Sequence, residues 1–210
     1  MIMGKQEIIN TRIGGFGSSD AKLFASIGKR GKIGKTALKR IEVMLGMRAQ
    51  RNFSNASTRY GDYIESELYK SISQAYKGYK IISNPYCEVK ELPYSFKCFN
   101  HIDIEMVLPK RLIWIEVKAV NQLPEQTINE YKEQLCWHWW ILEQESKKRK
   151  LTGELYLGHY HTKDKTSPFD PDNLSIHKIS YDDDMLCDIA GGLEITQSEL
   201  ENIKEGRLLI

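Results

Sequence analysis

The sequence predicts an α/β fold in which a central mixed β-sheet is flanked by helices, and three observations carry that prediction. Helical spacing of apolar residues dominates the chain up to Lys77, period-two runs replace it from Tyr79, and a long helical segment then separates two strands from a third. At 210 residues, with 41% hydrophobic and 10% aromatic residues, the chain suits one substantial domain, since single cores commonly serve ~100–200 residues. We divide it into a helical, basic part (1–77), an α/β core (78–162) and a C-terminal extension (163–210).

The elements follow in order. Gly14, Gly15 and Gly17 make a glycine-rich turn, and Ser18, Ser19 and Asp20 can cap the first turn of a short helix over 20–28, interrupted by Gly28 and Gly31. A second helix is expected over 36–48 and a third over 58–77, where Ile64, Leu68 and Ile72 form one apolar stripe. Strand candidates are 79–82, 87–89, 95–99 and the alternating run 102–107. Pro109-Lys110-Arg111 is a turn into the apolar strand 112–120. A single long helix is expected over 126–144, a strand over 155–161 and an edge strand over 174–179. Gly191-Gly192 should divide the terminal helical region in two.

Composition narrows function. No segment reaches the ~18–20 apolar residues that span a bilayer, and the opening MIMGKQEIINTR lacks an apolar core of signal-peptide length. A cytoplasmic setting with no membrane partner is therefore expected, and the irregular spacing of Cys87, Cys98, Cys136 and Cys187 fits reduced thiols there. Residues 1–60 hold 12 Lys/Arg against 3 Asp/Glu, with a dense run at Lys29, Arg30, Lys32, Lys35, Lys39 and Arg40. Such a concentration can hold a polyanion, with Lys35 one expected DNA contact, or it can be a solvated face. The segment 28–36 ends in GKT but has Lys29 where a phosphate-binding loop needs its first glycine, which argues against ATP-driven chemistry.

The chemistry-bearing constellation is Asp103, Glu116 and Lys118. Glu116 and Lys118 share one face of a strand, and antiparallel pairing about the 109–111 turn would bring Asp103 beside Glu116. Two carboxylates and water suit a hard cation such as Mg2+. A charged residue in so apolar a strand needs a partner, water or a metal. A structural Glu116–Lys118 pair is the alternative, but it gives Asp103 no role.

The run HIDIEMVLPKRLIWIEVKAV resembles the PD-(D/E)XK nuclease core, with Asp103 as the first acid and Glu116-Val117-Lys118 as the E-x-K element; Ile102 stands where the motif's name has proline. RYGDYIESEL and YKEQLCWHWWIL narrow the resemblance to the phage lambda exonuclease-like, viral-recombinase branch. The resemblance implies a restriction-endonuclease-like core and Mg2+, with Mn2+ as substitute, held by Asp103, Glu116, Glu65 and the Val117 carbonyl. It implies Lys118 and Gln134 as further catalytic residues, and Arg12, Ser18, Ser19 and Tyr131 near DNA. It also implies an exonuclease acting on duplex ends in phage-type recombination, a single-strand annealing partner and a homotrimer. An endonuclease on the same core, or a DNA-binding protein without catalysis, are the competing expectations.

Overall fold

The computed structural model describes residues 14–48, 56–89 and 92–204. Five strands form a mixed sheet in the order β2 (Lys80–Ser83), β5 (Ile104–Leu108), β6 (Arg111–Val120), β7 (Thr152–His161) and β8 (Leu174–Lys178). Within this sheet, among the described residues, β6 and β7 alone pair in parallel, with Lys118 opposite His159. The expected sheet is there, but the strand candidates do not all join it. Instead β1 (Gly15–Phe16), β4 (Lys97–His101) and β3 (Tyr86–Val89) make a separate three-stranded sheet. The parallel pairing of β1 with β4 is long-range, so no local pattern announces it.

The antiparallel β5–β6 pairing turns at Pro109-Lys110, where Lys110 takes a positive φ of 64°, and it sets Ile104 opposite Ile115. One step further along that register, Asp103 faces Glu116. The period of two gives β6 its two faces. Leu112 and Trp114 enter one apolar cluster with helices on that side, whereas Ile113, Ile115 and Val117 enter another beneath α3 (Ala56–Ala75). The stripe read from the sequence does the packing there: Ile64 and Leu68 are buried against β6.

Three helical expectations change. The first helix, α1 (Ala21–Arg30), runs straight through Gly28 and ends at Gly31, whose φ of +64° caps it in the left-handed conformation. α2 spans Lys35–Met44. The long helix is two, α4 (Pro124–Glu130) and α5 (Lys132–Arg149), broken at Tyr131 with no Gly or Pro to mark the break. Lastly, α6 (Asp183–Lys204) is continuous across Gly191-Gly192. These glycines serve contact rather than interruption: a Cβ at Gly28 would lie 2.0 Å from the Asp188 carbonyl oxygen, and one at Gly192 would lie 2.1 Å from that of Phe24. The backbones of α1 and α6 therefore nearly touch. No described helix is long and apolar enough to cross a membrane.

Two basic residues act as internal struts. Arg40 donates to both oxygens of Asp20 at 2.8 Å and to the Gly15 carbonyl at 3.0 Å, tying α2 to the glycine-rich turn. Arg149 donates at 2.8 Å to Glu105, a fully buried carboxylate that also accepts from Trp114 Nε1. Both satisfy charges that burial would otherwise make costly.

Candidate active site

Glu116 is the hub. Buried on β6, its Oε1 accepts from Lys118 Nζ at 2.5 Å and from Gln134 Nε2 at 2.8 Å. Strand alternation puts Glu116 and Lys118 on one face, and the first turn of α5 lays Gln134 across it. Asp103 stands at the entry to β5, its carbonyl accepting from Asn84 N at 2.8 Å and its Oδ2 from Val117 N at 2.6 Å. The Tyr131 ring lies under the Lys118 ammonium, 4.8 Å from centroid to Nζ, a cation–π contact made possible by the helix break.

One pair was not assigned from the sequence. His138, one turn after Gln134, is fully buried with Nε2 3.1 Å from Glu116 Oε2. That contact lacks hydrogen-bond geometry, so both atoms are without a hydrogen bond among the described residues. His138 Nδ1 lies 2.7 Å from Oδ1 of the equally buried Asn100, which fixes the ring. The i, i+4 spacing from Gln134 was the available signal; Asn100, on β4 of the other sheet, gave none.

The charges are unevenly distributed. Burial alone would raise Glu116, but the neighbouring Lys118 and His138 outweigh it and hold the carboxyl at about 2. Burial opposes the charge of Lys118, yet Glu116 and Asp103 keep its ammonium above the usual lysine range. Asp103 is pushed well above the carboxylate range by burial, then by Glu116 and Glu65. Glu65, projecting from α3, is pushed up to about 7 by burial and then by Glu116. Glu65 thus shares the electrostatic neighbourhood of the cluster.

The remaining expected residues are not brought to this hub by any recorded contact. Ser18 is buried and Ser19 exposed in a short 3-10 turn, Lys35 is exposed at the start of α2, and Arg12 lies outside the described residues. His159, buried on β7, turns Nε2 toward the Gln122 carbonyl at 3.0 Å.

Do these residues fit a divalent metal? As they stand, no three His, Cys, Asp or Glu side chains among the described residues are arranged to hold one. The donor chemistry fits nonetheless. Glu116 Oε2 is shielded from water with no hydrogen bond, and burial, then the neighbouring carboxylates, raises Asp103 and Glu65 above the usual carboxylate range, a cost that a cation would relieve.

The shift of Glu65, from burial first and then from Glu116, has a testable sign. The folded state holds the Glu65 proton to about 7, against 4.5 ordinarily, so it binds more protons than the unfolded chain between those values. Metal-free stability should therefore fall as pH rises through this window, by on the order of 1–2 kcal/mol from this group after allowing for partial exposure. Urea midpoints in EDTA at pH 5 and 8 should show a smaller fall for Glu65→Gln than for the parent. Equal falls would contradict the placement of Glu65.

A mixed sheet carrying acid, acid and lysine at one end, with helices on both faces, defines a restriction-endonuclease-like α/β protein. Among solved structures the chain is similar to an alkaline exonuclease from Laribacter hongkongensis, at TM-score 0.62 and 12% identity over 97% of this chain and 98% of that one. It is likewise similar to a phage-related exonuclease from Haemophilus somnus 129PT, at TM-score 0.58 and 12% identity over 96% and 100%. At such identity the shared property is the fold. No family model matches the chain, and no curated protein matches its sequence.

Proposed function

We propose that this protein is a metal-dependent deoxyribonuclease, acting as an exonuclease on duplex DNA ends in phage-type recombination. The carrying observation is the hub itself: Glu116 gathers Lys118, Gln134 and His138 within 3.1 Å while Asp103 is bonded to the adjoining Val117 amide. Its setting in a fold shared with two exonucleases supports DNA as substrate.

Asp103, Glu116, Glu65 and the Val117 carbonyl would hold one or two Mg2+ ions, with Mn2+ able to substitute. When bound, the metal lowers the pKa of water and withdraws charge from the phosphate. The protein's own groups do the rest. A lysine held above its usual range is a poor proton acceptor, so Lys118 orients the attacking water and neutralises charge growing on the phosphate. Gln134, its amide nitrogen committed to Glu116, keeps Oε1 to accept a hydrogen bond from that water. Tyr131 fixes the lysine, and His138 with Asn100 fixes Glu116. Arg12, Ser18, Ser19 and Lys35 are assigned to DNA phosphate, and a single-strand annealing protein and a homotrimer complete the reading.

The test is topological. Linear duplex should be degraded with Mg2+ while covalently closed plasmid survives. Cutting of the closed circle would favour the endonuclease. Salt-sensitive binding with no product from either substrate would leave a non-catalytic DNA-binding protein.

A further inference from the structure

The loop after β7 has no role in the reaction, yet it is built with care. Asp164 accepts from Thr166 N at 2.9 Å, Thr166 Oγ1 at 2.6 Å and Ser167 Oγ at 3.0 Å, so its negative charge is taken up within the loop. Three tyrosines then pin the loop. Tyr60 donates to the Ser167 carbonyl at 3.1 Å, Phe169 N donates to Tyr63 Oη at 2.9 Å, and Asp170 N donates to Tyr160 Oη at 3.0 Å. The result is a cavity of about 500 Å³ between the loop and the first turns of α3. Arg59 and Lys165 line it from opposite elements, and the half-open ring of Tyr63 lines it too. Lys165 Nζ donates to Ser57 Oγ at 3.0 Å, which holds its charge over the helix.

We infer that this cavity binds the sugar-phosphate backbone of a DNA strand on its way to or from the carboxylate centre, an inference that rests on the nuclease reading above. A guanidinium fork and an ammonium together match phosphate oxygens, and an aromatic ring in the same cavity offers a face to a sugar or base. Arg59 and Glu65 lie on the same helix, six residues and about 9 Å apart along its axis. Pinning by tyrosines serves such a task, since a preorganised loop loses little entropy when the strand arrives.

The experiment measures binding rather than cleavage. Fluorescence polarisation of a labelled single-stranded oligonucleotide in EDTA, over a series of salt concentrations, is compared for the parent and for Arg59→Gln/Lys165→Gln. The double variant should bind at least about tenfold more weakly at low salt, and its log–log salt slope should shrink by about 1.4, the value for two lost phosphate contacts on a single strand. Arg59→Lys/Lys165→Arg, which keeps both charges, should recover most of the loss. Both side chains are exposed, and thermal melting confirms folding; if the double variant does not fold, each single variant should show about half the slope change. Parent-like affinity and slope in a folded variant overturn the inference and leave the nuclease reading standing. A parent that binds no DNA overturns both.

Discussion

Lys118→Ala protein should digest linear duplex DNA between about 10² and 10³ times more slowly than the parent at saturating Mg2+, the scale of losing one positioned charge-stabilising donor. Lys118 is the cation at the hub, 2.5 Å from Glu116, over the Tyr131 ring and only 18% exposed at its side chain. Among the described residues the other basic group recorded against Glu116 is the buried His138, 3.1 Å from Oε2 and tied to Asn100. Asp103→Asn and Glu116→Gln should lose most cleavage as well, through the metal rather than the nucleophile. All three variants should still melt cooperatively, Lys118→Ala at a lower temperature because it breaks a buried ion pair. Near-normal cleavage by folded Lys118→Ala protein would end the assignment of that residue.

Gly192→Val and Gly28→Val should each destabilise the protein by at least about 3 kcal/mol, the upper range for overpacking a tight interior. A Cβ at either position would sit about 2 Å from a carbonyl oxygen of the facing helix. Backbone cannot swing aside as a flexible side chain can, so α1 and α6 must separate and expose Phe24 and Leu193. For a chain of this length the melting temperature should drop by roughly 6–12 °C, read by circular dichroism. An unchanged melt would show that the helices do not approach so closely.

These same glycines show what a sequence conceals. Gly28 and Gly191-Gly192 look like helix breakers because glycine disfavours helices locally; that they meet across two helices 160 residues apart is a tertiary fact. The break at Tyr131 likewise has no local cause, and the pairing of β1 with β4 depends on chain return. By contrast, β5, its turn and β6 were legible, because alternation, a proline turn and a buried face all agree there. Asp103, Glu116 and Lys118 were legible for the same reason, since they ride on that hairpin, whereas Gln134 came only from the family resemblance of its helix. His138 was unassigned, because only the fold aims it at Glu116 and sets Asn100 behind it. Arg40, read within a basic run as either a polyanion contact or a solvated face, proved internal, bonded to Asp20 and Gly15.

The central claim is that this hub hydrolyses DNA with a divalent metal. Its most direct test is a time course of linear duplex incubated with purified protein in Mg2+ and in EDTA, followed as release of acid-soluble nucleotide. The account predicts steady release in Mg2+ and none in EDTA, restored when Mg2+ is returned in excess. Intact DNA in both, from folded protein, or equal release in both, would contradict it.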